Sequence, residues 1–217
     1  MTKLLKLLSV TLVLVAVVFL IARRQVDVTH ATPKRSDPTK WVSYSAHYTE
    51  KVSTRDASGV TTDNLELTEE VRSEDGALLS VLKENGQPIS GRLHQADGQM
   101  FSLDYVKKQA IHDGVSPRRH PFVPPDPVLG TKTILGVVCD IYPIHMHLGN
   151  GGGNGTICVD MAADIVVSVE MHSDTAGVHR DSIKELTWID LNRAVDPSTI
   201  KIPDGFTKLV PSTEQHP

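Results

Sequence analysis

The chain has 217 residues, and the 193 that follow Arg24 have room for one sizeable hydrophobic core and no clear second domain. Four of the 22 basic residues and none of the 26 acidic residues fall in the first 24 positions, so the remainder carries 18 bases against 26 acids. An acidic domain lacks the clustered Lys and Arg that bind nucleic acid or acidic bilayers, which argues against both as partners.

An uncharged apolar run from Leu7 to Ala22 opens the chain. Its 16 residues lie between the about 7–15 of a signal-peptide core and the about 17–25 of a spanning helix. Leu20-Ile21-Ala22 is a poor cleavage site because only its last residue is small. We therefore predict that residues 1–24 form a membrane anchor, with a cleaved signal peptide as the alternative, and that residues 25–40 form a polar linker.

From Trp41 onward the hydrophobic period is two, which is typical of half-buried strands. In the first strand Val42, Tyr44, Tyr48 and Val52 share one face. The turn signals Asp75-Gly76, Asn85-Gly86 and Asp97-Gly98 separate further strands, predicted over Leu65–Val71, Leu78–Lys83, Ile89–His94 and Met100–Val106. This spacing predicts an antiparallel meander. At most, short helices are expected at Val106–His112 or Asn192–Thr199.

The second half begins with a proline-rich segment, Ser116–Pro127, which predicts a stiff surface connection, with a peptide-recognition ligand as the lesser alternative. Two long strands follow, Thr131–Leu148 and Ile157–His172, and a last one covers Ile183–Leu191. The glycine-rich run Gly149–Gly155 is predicted to be a flexible hairpin tip. It is not a phosphate loop, because no Gly-Lys-Ser/Thr follows and the next element is a strand.

Histidines are the best candidates for chemistry. His145 and His147 lie two apart on a predicted strand and therefore point to one face, and His172 is a candidate third ligand. A polar sheet face explains them better and no carboxylate lies at a fitting spacing, so we predict no metal and keep these three as weak candidates. No Gly-x-Ser-x-Gly elbow is present, and we predict no catalytic residue and no cofactor.

Two cysteines, Cys139 and Cys158, remain. An even count in an exported chain suggests one disulfide, with two buried free thiols as the alternative.

Several segments resemble LolA-like domains, the outer-membrane lipoprotein-sorting-like domains of exported bacterial proteins. Gly136-Val-Val-Cys139-Asp-Ile-Tyr142 resembles the Gly-x-x-Cys-x-x-Tyr strand of this group. Similar strands and a similar closing signature are found at Gly98–Asp104, Asp164–His172, Glu185–Leu191 and Val195–Phe206. The resemblance covers Trp41 to Lys208 in outline. It implies a half-barrel sheet whose concave apolar face carries or senses acyl chains in this superfamily.

The sequence therefore predicts a mainly β fold over residues 41–210, a single antiparallel curled sheet with few short helices, followed by a tail over 211–217. We expect a non-catalytic domain that binds a lipid or a lipoprotein acyl chain. The alternatives are a membrane-tethered protein-interaction module and a metal-binding or hydrolytic domain using His145 and His147. The apolar face on which a ligand is expected, and for which plain hydrophobic core is the alternative, comprises Val42, Tyr44, Tyr48, Leu65, Leu67, Phe101, Leu103, Ile165, Val167 and Val169.

Localisation is predicted at the bacterial inner membrane, with the domain facing the periplasm and a soluble periplasmic form as the alternative. The arginines after the apolar run favour the opposite orientation. The paired cysteines and the LolA-like resemblance favour export, and we give them more weight.

Overall fold

The structure, a computed structural model, describes residues 41–116, 128–148 and 151–210. The predicted anchor, linker and tail lie outside these residues, as do most of the proline-rich connection and Gly149-Asn150. No helix in the described ranges is both long and apolar enough to span a membrane.

Twelve strands make up the described fold and join in one sheet. Their bounds are β1 Tyr44–Arg55, β2 Thr61–Arg72, β3 Leu78–Glu84, β4 Gln87–His94, β5 Gln99–Asp104, β6 Gln109–Val115, β7 Gly130–Ile134, β8 Val137–Leu148, β9 Gly151–Asp160, β10 Ile165–Thr175, β11 Val178–Leu191 and β12 Thr207–Leu209. The sheet order is β12-β6-β5-β4-β3-β2-β1-β11-β10-β9-β8-β7. All neighbours are antiparallel except β12, which runs parallel to β6. The predicted mainly β fold in one sheet is confirmed.

Only one of the two segments in which a short helix was expected contains helical structure. A 3₁₀ turn at Pro197–Thr199 lies inside one of the two expected places, Asn192–Thr199, and is capped by the Asp196 side chain. The other place, Val106–His112, instead runs through a turn into β6.

Two meanders, β2 to β6 and β7 to β11, meet at β1. Tyr44 at the start of β1 pairs with Arg72 on one side and with Leu191 on the other. Tyr44 and Tyr48 are buried while His47 between them is exposed, as the period of two predicted. Strand β1 is therefore the centre of the sheet.

The two long strands predicted in the second half are each divided by a turn. Leu135 and Gly136, with φ of 51° and 79°, turn β7 into β8, and Asp164, with φ of 53°, ends the turn between β9 and β10. A left-handed φ at leucine is uncommon, so the residue pattern gave no turn signal there.

The glycine run is largely strand, which corrects the expectation of a hairpin tip. Gly151 to Gly155 lie in β9, with Gly155 opposite Met171 of β10. A Cβ added to Gly155 would collide with the carbonyl oxygen of Glu170 and lie 2.8 Å from Met171 Sδ. Glycine is required here because the β9 backbone comes so close to β10.

Contacts between strands that are not neighbours show that the sheet is curled. Lys132 Nζ of β7 lies 3.3 Å from Glu185 Oε2 of β11, although three strands lie between them. Arg72 of β2 donates hydrogen bonds to the carbonyl oxygens of Ala163 and Asp164, in the turn between β9 and β10. The predicted curl is therefore confirmed.

Buried side chains form two clusters. The first includes Tyr44, Tyr48, Ile165 and Val167, and it contains the disulfide between Cys139 and Cys158, whose Cα atoms are 5.3 Å apart. The predicted disulfide is confirmed. The second cluster is formed by residues of β4 to β6, by the turn before β3 and by the chain that follows β11, and consists of Ala77, Leu93, Phe101, Leu103, Ala110 and Ile200.

Candidate functional site

Several cavities lie on the described sheet, and two of them adjoin each other. The first, which we call the trough, has a volume of about 540 Å³ and lies over β10, β11 and β1. The surface that lines it is mostly apolar, and its apolar side chains are Val169, Met171 and Val178. The full lining is Glu50, Val169, Met171, Ser173, Thr175, Val178, Arg180, Ser182 and Lys184.

The trough exists because the side chains of β10 point alternately to the two faces of the sheet and because β9 is rich in glycine. Val169 and Met171 point to one face while Glu170 and His172 point to the other. Met171 packs against Gly153 and Gly155, whose missing side chains leave space for its thioether. An unbranched thioether adapts readily to apolar ligands of different shape.

The second cavity, which we call the basin, has a volume of about 570 Å³ and lies over β1 to β5. It is polar because the residues of β2 to β5 that share this face are mostly Glu, Ser and Arg. A row of register partners runs across it from Glu70 through Ser80 and Arg92 to Ser102. The full lining is Glu50, Glu66, Thr68, Glu70, Leu78, Ser80, Leu82, Ser90, Gly91, Arg92, His94, Ser102, Leu103 and Lys184.

Glu50 and Lys184 line both cavities and so mark their junction. They are register partners on β1 and β11. Lys184 Nζ lies 4.7 Å from the centroid of the Tyr48 ring, a cation–π distance. On its other side Glu50 is the register partner of Glu66. The junction therefore places one cation and two carboxylates next to the apolar walls of the trough.

A buried polar group forms the end of the basin. The Tyr44 hydroxyl donates a hydrogen bond to Glu70 Oε1, and burial, with the nearby Glu70 charge, raises the pKa of Tyr44 well above its usual value. The Arg72 guanidinium lies 4.6 Å from the Tyr44 ring centroid. Burial lowers the pKa of Arg72. Electrostatic interactions with Tyr44, Asp164 and Glu70 act in the opposite direction and raise it. Tyr44 is thus a neutral hydrogen-bond donor that fixes the orientation of Glu70.

The ten residues expected on one ligand-binding face are distributed over several surroundings. Val169 alone of the ten lines the trough, and Leu103 borders the basin. Five are packed in the first core cluster: Val42, Tyr44, Tyr48, Ile165 and Val167. Phe101 and Leu103 belong to the second cluster. Leu65 and Leu67 are 61% and 41% exposed, on the face of β2 opposite to Glu66 and Thr68.

The sequence interpretation did not single out Met171, Val178, Glu50 or Lys184 as site residues. The signal available for Met171 was the alternation that continues along β10 from Val169. No sequence signal marked Glu50 and Lys184, because their importance comes from the pairing of β1 with β11.

His145 and His172 line neither the trough nor the basin, but His172 lines a further cavity of about 470 Å³ together with Asn154 and Asp181. His145 Nδ1 is 2.9 Å from Asn154 Oδ1, and His172 Nδ1 is 2.8 Å from Asp181 Oδ1, both on exposed strand surfaces. The side chain of His147 lies outside the described part of the chain. Within that part, no three His, Cys, Asp or Glu side chains are grouped so as to hold a metal ion.

No protein-family model matches the sequence, and no curated protein is significantly similar to it. Among solved structures, the chain is similar to MucB in complex with MucA(peri), at a TM-score of 0.43 and 10% identity over 75% of this chain; it spans 55% of that chain. It is similar to a LolA superfamily protein from Nitrosomonas europaea, at a TM-score of 0.39 and 8% identity over 80% of this chain and 96% of the other. A third similar structure is an outer-membrane lipoprotein-sorting protein domain from Vibrio parahaemolyticus. Its TM-score is 0.37, at 8% identity over 74% of this chain and 90% of the other. Two of these three structures are named for the LolA-like group that the sequence resembles.

Proposed function

We propose that this chain is a non-catalytic binding protein of the bacterial cell envelope that holds a lipid or acylated ligand. The observation that carries the proposal is the junction of an apolar trough with a polar basin at Glu50 and Lys184. One amphipathic molecule fits this arrangement, with its hydrocarbon chain in the trough and its polar end in the basin.

The energetics favour such a ligand. A hydrocarbon chain that covers Val169 and Val178 removes apolar surface from water on both partners, which is worth about 25 cal/mol per Å², while Met171, only 9% exposed, adds little. Each cavity also falls within the range of about 300–1,000 Å³ that is usual for small-molecule sites.

An envelope location is supported by the cysteines. The disulfide between Cys139 and Cys158 is buried in the first core cluster. Disulfides of this structural kind persist in oxidising compartments such as the periplasm. Anchoring by residues 1–24 remains part of the proposal.

Native purification tests the lipid proposal. The full chain is purified from membranes without denaturant and its organic extract is analysed by mass spectrometry. We expect a lipid at about one molecule per chain. Val178→Asp places a charge in the trough at a residue that is 37% exposed, so the fold should tolerate it while lipid recovery falls.

Val128→Asp is the matched control, because Val128 is 49% exposed and does not line the trough. It should retain wild-type lipid recovery. Wild-type protein that yields no lipid, or a Val178→Asp variant that yields as much as wild type, would contradict the proposal.

A protein-interaction module is the second candidate function, and the edge strand β7 favours it. Among the described strands, β7 pairs with β8 alone, and we infer that its other edge can accept a strand from a partner. Four exposed apolar side chains surround it, namely Val128, Leu129, Leu135 and Val138. If this function is the true one, Leu129→Asp and Val138→Asp together should abolish crosslinking to a partner in native membranes, while Val178→Asp should leave it unchanged.

A further inference from the structure

We propose that the basin recognises the primary ammonium group of an amine-headed lipid through Glu50, Glu66 and the hydroxyl of Thr68. This inference rests on the proposed function, because the hydrocarbon chain of the same lipid is assigned to the trough.

The first observation is a pair of like charges. Glu50 of β1 and Glu66 of β2 are direct register partners, and both are half-buried in the basin wall. Direct partners have Cβ atoms about 5 Å apart, and like charges placed so destabilise a sheet. Neither carboxylate makes a hydrogen bond or an ion pair with another described residue. A cation bound between them would relieve the repulsion.

The second observation is independent of these charges. Thr68 is only 8% exposed and lines the basin on the same face of β2 as Glu66. Its hydroxyl has no hydrogen-bond partner among the residues that the structure describes, and the oxygen itself is open to the cavity, although the rest of the residue is buried. Buried polar side chains are normally hydrogen-bonded, so an unpaired hydroxyl that opens on a cavity points to a ligand.

Three of the four nearby charged side chains are otherwise engaged with described residues, and Arg92 is not. Lys184 lies over the Tyr48 ring, Arg72 is hydrogen-bonded to backbone carbonyls, and Glu70 accepts from Tyr44. Arg92 belongs to the same face but lies two strands away from β2, across β3. The negative charge that lacks a partner is therefore concentrated at Glu50 and Glu66.

A primary ammonium group matches these acceptors. It carries three N–H donors and one positive charge, and charge-assisted hydrogen bonds to carboxylates are among the strongest that proteins make. Glu50 also borders the trough, so an ammonium held there is within reach of a chain lying over Met171 and Val169. A bare metal ion fits less well, because the described residues offer no group of three suitable ligands.

The test uses the full chain in mild detergent and three lysophospholipids that share one myristoyl chain and a phosphate. Their head groups are ethanolamine, choline and glycerol. We expect the ethanolamine lipid to bind at least about tenfold more tightly than the glycerol lipid. Choline, which has the charge but no N–H donor, should be intermediate. Free ethanolamine, which has no chain for the trough, should bind at least about a hundredfold more weakly than its lipid.

Variants locate the site. Glu50→Gln and Glu66→Gln should each bring the ethanolamine-to-glycerol ratio close to one while affinity for the glycerol lipid is kept, and Thr68→Val should lower the ratio. Glu84→Gln is the matched control, since Glu84 is exposed at the end of β3 and lines neither cavity.

Equal affinity for the three head groups, or a preference that survives in both Glu variants, overturns the ammonium site and leaves the trough standing. Binding of none of the three lipids overturns both. Free ethanolamine binding as tightly as its lipid would assign the basin to soluble amines and overturn the lipid as the source.

Discussion

Asp160 is the residue whose surroundings fit a carboxylate least. It is 3% exposed at the end of β9. Its Oδ1 accepts hydrogen bonds from the backbone N–H groups of Ala162 and Ala163, at 2.9 and 3.2 Å, whereas its Oδ2 has no partner among the described residues. Burial raises the pKa of Asp160, and the negative charge of Asp140 raises it further. The two backbone hydrogen bonds lower this pKa but do not outweigh burial.

This arrangement predicts a pH-dependent effect of Asp160→Asn. A carboxyl group whose pKa is raised by folding holds its proton more tightly in the folded chain, so its contribution to stability is lost as pH rises from its ordinary value near 3.8 through the raised folded value. The variant has no such proton, and its free energy of unfolding should rise relative to wild type across that window. Urea unfolding at several pH values measures the difference. The exposed Asp63→Asn is the control, and a difference that is constant with pH would contradict the prediction.

Residues also show why the site was harder to predict than the fold. Because side chains alternate along a strand, Leu65 and Leu67 must face away from Glu66 and Thr68. The alternation alone does not predict which of the two sets faces the cavity. The apolar set was expected there, whereas the structure turns the polar set towards the basin. Only the curl of the whole sheet decides this.

At the scale of elements, prediction was best where alternation was bounded by residues that prefer positive φ. Asn85-Gly86 is a turn with φ of 50° and 76°, and it separates β3 from β4 where the sequence placed it. The turn at Leu135-Gly136 was missed because leucine seldom adopts such a φ. The glycine run was assigned to a loop because packing of Gly155 under Met171 leaves no trace in a pattern of residue types.

Strand β9 yields a prediction of its own. Gly155→Ala should lower the free energy of unfolding by roughly 1–3 kcal/mol, because its Cβ collides with the backbone of β10 and the neighbouring strands must shift. Gly130→Ala in β7 is the matched control, since a Cβ there meets no atom within 4 Å, and it should be neutral or slightly stabilising. Denaturant unfolding of both variants decides the matter. Equal effects would show that the close approach of β9 to β10 is unimportant.

At the scale of the whole molecule, Arg72 connects parts of the sheet that are far apart in strand order. Its Nε donates to the Val42 carbonyl oxygen and its Nη1 to that of Asp164, both at 2.9 Å, and it forms a further hydrogen bond with Ala163. Arg72→Met removes a buried charge together with these bonds and leaves the carbonyl oxygens unpaired. We expect a loss of at least about 3 kcal/mol in the free energy of unfolding.

Arg55→Met, at the exposed end of β1, provides the comparison and should change stability by less than about 0.5 kcal/mol. Urea unfolding with fluorescence detection is suitable, because Trp41 contacts the Arg72 guanidinium at 5.2 Å. Similar losses in the two variants would mean that Arg72 does not hold the curl.

The position of β1 has a consequence for the order in which the molecule assembles. It is the first strand of the described chain to be synthesised, and β2 can pair with it at once through a short turn. Its second edge pairs with β11, which is made only after the other meander is nearly complete. Until then the middle of the future sheet is an open edge, available to any other extended chain. A nascent chain that stops before β11 therefore exposes the unpaired edge of β1, which can aggregate with other extended chains. Pairing of β11 with β1 removes this aggregation-prone edge.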